Sequence, residues 1–99
     1  MKTFVILRRN AWKTPAELSA AAALSTRVGN DMPNDVRWIR SYVVREADGA
    51  LATCCIYQGS SEEAVRLHAT KAGLRADEVL PVIETVIVRP DPAVAKNAA

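Results

Sequence analysis

The stretch VRWIRSYVVREADGALATCCIYQ, residues 36–58, decides the fold. Val36 to Arg45 is rich in Val, Ile, Trp and Tyr, and Leu51 to Gln58 is a second strand-like run. Asp48-Gly49 between them reads as a two-residue hairpin turn, because both central positions of a type I′ turn need positive φ. The runs are then expected to pair antiparallel, with Tyr42 opposite Cys55 and Arg40 opposite Tyr57. One face of the hairpin would collect Trp38, Arg40, Tyr42, Cys55 and Tyr57. The other would carry Ile39, Ser41, Val43, Cys54 and Ile56.

Upstream, Thr14-Pro15-Ala16-Glu17 supplies an N-cap hydroxyl, a proline at the first helical position and a glutamate three residues after the cap. Leu18, Ala21, Leu24 and Val28 share a face, and Gly29 reads as the stop, so the first helix is expected over 15–28. Before it, Phe4-Val5-Ile6-Leu7 marks a strand at residues 3–9. Downstream, Ser60-Ser61-Glu62-Glu63 reads as a second capping box, opening a helix that runs to Ala72 and stops at Gly73. Val79 to Val88 is the last strand. Residues 1–90 then form one domain, and 91–99, with little periodicity, a flexible tail that is mobile or reaches a partner.

The order strand, helix, strand, strand, helix, strand predicts an α+β fold: ferredoxin-like βαββαβ, an antiparallel sheet with both helices on one face. Apolar residues stand at both strand parities, so the face away from the helices also needs cover. Pairing it with a second copy gives a dimeric α+β barrel, and a homodimer is the expectation.

Composition narrows the function classes. Apolar residues make up 49% and charged residues 24% of the 99 positions, an ordinary globular balance, and the formal charge is only +2. That charge is too small for a nucleic-acid footprint. RNA-binding RRM domains share this element order, but their aromatic-glycine motif would fall where Ala52-Thr53-Cys54-Cys55-Ile56 stands. The first residues contain only four consecutive apolar side chains, short of a signal-peptide core or a membrane span, and a cytoplasmic location is expected. Cys54 and Cys55 are strand neighbours that point to opposite faces, which fits unpaired thiols in a reducing compartment. Glycine-rich phosphate loops, GxSxG and HExxH are lacking from the sequence.

Two features could carry chemistry. The face with Trp38, Arg40, Tyr42 and Tyr57 mixes aromatic walls with polar groups, as a small-molecule pocket does, and as a subunit interface also does. His68, the one histidine, lies amid Ala64, Val65, Ala69 and Ala72 and so points at the sheet, either as a ligand or as a core histidine satisfied by one partner. A transition metal needs several His, Cys or carboxylate donors. Cys55 is a second donor, Asp77 and Glu78 are carboxylates at the entry to the last strand, and two subunits would double the supply.

Trp38-Ile39-Arg40-Ser41-Tyr42, Cys55-Ile56-Tyr57, Ser61-Glu62-Glu63-Ala64-Val65-Arg66-Leu67-His68-Ala69 and Ala76-Asp77-Glu78-Val79 together resemble a bacterial family of small ferredoxin-like dimeric proteins, catalogued as a domain of unknown function with a nickel-binding member. The resemblance implies a homodimer that binds nickel ion, with sequestration as its role and His68 and Cys55 at the matching positions. Many members of the family it resembles carry histidine where this chain has Arg40, and an arginine stays protonated and ligates poorly. Two competing readings are a cofactor-independent monooxygenase-like enzyme acting on an aromatic small molecule, and a structural dimer without catalysis.

Overall fold

The computed structural model describes residues 1–93, so positions 94–99 of the expected tail lie outside the described residues. Six elements follow in the expected order: β1 (Lys2–Trp12), α1 (Pro15–Asn30), β2 (Val36–Arg45), β3 (Leu51–Gly59), α2 (Glu62–Lys71) and β4 (Glu78–Pro81). The strands form one antiparallel sheet in the order β2-β3-β1-β4, which is the ferredoxin-like arrangement. Alternation along β1 and β3 buries Phe4, Ile6, Cys55 and Tyr57 on the helix side, where they meet Val65 of α2, Met32, Val36 and Val79 in one core. Val5, Leu7, Cys54 and Ile56 point the other way and are half-buried.

Helix α1 begins at its predicted cap, and α2 begins one residue later than its expected box places it. Thr14 accepts from the Glu17 amide while the Glu17 carboxylate accepts from the Thr14 amide, a complete capping box. At α2 the cap is Ser61, whose hydroxyl accepts from Ala64. The third helical residue is thus Ala64 rather than Glu63, and an alanine cannot return the bond, so the expected second box is a single cap. Nor does α1 end at Gly29. It continues to Asn30 and closes at Asp31, with Gly29 inside the helix facing His68. Its inner face runs through Leu18, Ala21, Ala22, Ser25 and Val28, and Leu24 is exposed.

The hairpin corrects the expected register. Glu46 and Ala50 close a three-residue loop: the Glu46 amide donates to Ala50, the Gly49 amide donates to Glu46, and the Asp48 carboxylate accepts from Ala50. Within this loop only Gly49 has positive φ, at 91°. One additional loop residue slips every pair by one, so Tyr42 lies opposite Cys54 and Arg40 opposite Ile56, instead of Cys55 and Tyr57. A bulge at Ile39, between Trp38 and Arg40, then reverses the alternation, which returns Trp38 to the expected face and sets it, in place of Arg40, opposite Tyr57.

Strand β4 is shorter than the expected run over 79–88. It pairs with β1 from Glu78 to Pro81, and the Val82 amide still donates to Thr3. Beyond that point β1 runs out, since it begins at Lys2. Residues 83–88 therefore extend past the sheet with Ile83 96% exposed and Val86, Ile87 and Val88 nearly as bare.

Candidate functional site

The chemistry gathers on the helix side of the sheet, under α1 and α2. His68 projects from α2 into the core and is 1% exposed, as its place on the alanine face predicts. Its Nε2 lies 3.0 Å from the Ser25 carbonyl of α1. A carbonyl only accepts, so Nε2 carries the proton and Nδ1 presents a lone pair. That Nδ1 is buried and has no hydrogen-bond partner. Tyr57 packs beside the ring, with centroids 5.3 Å apart, and its hydroxyl is 3.1 Å from Ser25 Oγ. Burial pushes the His68 pKa down and the nearby Arg8 charge adds to this, while the Ser25 carbonyl opposes them. The imidazole is thus held neutral, the form that can ligate a metal.

Two cavities open on either side of this cluster, and Ser25, Trp38 and Tyr57 border both. His68 faces one, beside Gly29, Asn30 and Arg37. Cys55 faces the other, a space of about 400 Å³ between α1 and the sheet, where its thiol donates to Thr53. The two residues expected as metal donors therefore border different cavities.

Of the four residues expected to line one pocket, Trp38 and Tyr57 stack across β2 and β3, with ring centroids 6.0 Å apart and planes within 5°. Trp38 also donates its indole N–H to Ser41. Arg40, beside the bulge, borders the cavity that Cys55 faces, but its guanidinium donates to the Tyr42 hydroxyl and pairs with Asp91 at 3.2 Å. Tyr42 in turn donates to Asp91. The one-residue slip thus moves Tyr42 and the Arg40 head group to the face away from the helices.

Asp77 is held by Arg75 and by the Arg9 amide, and that ion pair keeps its carboxyl below the usual carboxylate range. Among the described residues, no three His, Cys, Asp or Glu side chains converge on a point. Nickel in a nitrogen and oxygen environment takes four to six donors, so one chain does not fit the ion by itself. It does offer one free imidazole nitrogen.

Sequence reasoning passed over Arg8 and Ser25. Arg8 continues the alternation of Phe4 and Ile6, which places it on the core side, and it is 1% exposed. Ser25 is four residues after Ala21 and three before Val28, which puts it on the inner face of α1.

A search of curated proteins finds no match. Among solved structures the fold is similar to that of SCO4226 from Streptomyces coelicolor A3(2), with a TM-score of 0.68 and 24% identity over 85% of this chain and 99% of that one. The sequence itself matches the family described as nickel responsive protein SCO4226-like over residues 4–82, a span from β1 through β4 that holds every residue of the His68 cluster. The chain therefore belongs to the SCO4226-like family.

Proposed function

We propose that this protein is a homodimeric nickel binder that takes up the ion stoichiometrically and so sequesters it in the cytoplasm. The observation that carries the reading is the buried, unpartnered Nδ1 of His68 in a chain whose family is named for nickel responsiveness. A neutral imidazole oriented by a carbonyl on its other nitrogen has the arrangement that tunes metal-ligating histidines. Cys55 is the soft donor proposed with it, facing the adjoining cavity across Ser25, Trp38 and Tyr57, which border both. The remaining donors would come from a second copy, since one chain does not complete a coordination sphere. Free Cys54 and Cys55 are compatible with a reducing compartment.

Calorimetric titration with nickel tests the reading. Wild type is expected to bind, His68→Ala to lose at least tenfold in affinity, and Cys55→Ala to lose less. Equal nickel affinity in wild type and in folded His68→Ala would overturn the assignment.

A further inference from the structure

Arg8 is the largest fully buried side chain, and the cavity that Cys55 faces opens beside it. Its Nη1 donates to the Arg75 carbonyl at 2.6 Å, while its Nη2 is buried without a partner. No carboxylate pairs with this guanidinium among the described residues. A buried cation in that condition is costly, and an anion that enters the cavity would relieve the cost.

The surroundings specify the anion. Arg8 and Thr53 are directly opposed across β1 and β3 on the helix side. The Thr53 oxygen accepts from the Cys55 thiol, which leaves its own O–H to donate. Two donors thus stand side by side at the buried end. The walls are apolar, with Leu18, Ala21 and Ala22 from α1 and Trp38 and Val43 from β2, and the short alanines are what leave the volume unfilled. The space falls within the range of small-molecule sites. One guanidinium balances one negative charge, and a planar carboxylate matches it better than a dianion, which would leave charge unbalanced in the core.

We propose that the cavity between α1 and the sheet binds a small apolar monocarboxylate, with the carboxylate accepting from Arg8 Nη2 and the Thr53 hydroxyl and the apolar body lying against Trp38 and α1. The site adjoins the cavity that His68 faces, across Ser25, Trp38 and Tyr57, and its two donors, Arg8 and Thr53, act in the metal-free protein.

The probes are 2-naphthoate and the uncharged, shape-matched 2-naphthalenemethanol, titrated calorimetrically into the 99-residue protein without metal. Wild type should bind the acid more tightly than the alcohol by roughly tenfold or more, the usual worth of a hydrogen bond to a charged group. Arg8→Met should erase that preference. Ala22→Phe, at a half-buried position of α1, should fill the space and abolish binding of both probes with an unchanged circular dichroism spectrum, which keeps the test decisive if Arg8→Met does not fold. Equal binding of acid and alcohol by wild type, absence of heat with the acid at millimolar concentration, or full naphthoate affinity in folded Ala22→Phe would each overturn the proposal.

Discussion

His68 is a neutral ring whose burial has a consequence for stability. Its folded-state pKa lies below the ordinary 6.5, so the unfolded chain takes up the proton first as pH falls. The stability linked to the neutral ring is complete above about 6.5 and declines as pH drops from there toward the depressed folded value. Replacing it by Gln removes that titration, and the amide can still donate to the Ser25 carbonyl. Urea unfolding at pH 7, 6 and 5 should show a smaller fall in midpoint for His68→Gln than for wild type, while the carboxylates common to both proteins cancel in the comparison. Parallel pH profiles would mean that His68 titrates alike in both states. At this scale the sequence shows burial well and contact poorly. Helical spacing among alanines places His68 inside, but its bond to Ser25 joins residues 43 positions apart and depends on how two helices settle on the sheet. Arg8 was legible in principle from alternation with Phe4 and Ile6, and was obscured because an arginine in a strand is usually taken for a surface residue.

The elements follow from their termini. Thr14 with Glu17, Ser61, and Gly73 at φ 66° mark helix boundaries through local bonds or backbone geometry that the sequence carries within a few residues. The β2–β3 turn is harder to read, because Asp-Gly suits both a two-residue loop and the end of a three-residue one. The difference is one residue, and it exchanges the faces of Arg40 and Tyr42. Gly49 bears on it directly: with φ 91° and no atom within 4 Å of where a Cβ would stand, a side chain there suffers from backbone strain alone. Gly49→Val should therefore destabilise by about 1–3 kcal/mol, and Gly49→Asn by less, since Asn tolerates positive φ more readily. Chemical denaturation measures both. A Val variant as stable as wild type would show that the loop adjusts to negative φ without cost. The shortened β4 has the same kind of origin, because its apolar pattern continues to Val88 whereas its partner β1 ends at Lys2, a length mismatch that periodicity within the strand does not reveal.

Across the whole molecule, the apolar surface exceeds what two helices can cover. The sheet face opposite them carries Val5, Leu7, Cys54 and Ile56 half-buried, with Val44 50% and Leu80 47% exposed, and the arm from Ile83 to Val88 adds four more bare aliphatic side chains. A contiguous apolar face of this kind marks an association surface. In the proposed homodimer a second copy would cover it with the same residues, by sheet-to-sheet packing about a two-fold axis. Sedimentation at micromolar concentration should give a dimer. Val44→Lys combined with Leu80→Lys places two charges per subunit on that face at positions that are already half exposed, so the fold should survive, and their desolvation on association should shift the population to monomer. The circular dichroism spectrum should be unchanged, and raising salt should only partly restore the dimer, because screening weakens repulsion between the lysines without removing the cost of burying them. A wild-type monomer would defeat the homodimer. A variant that stays dimeric would place the interface elsewhere, with the arm at 83–88 as the next surface to charge.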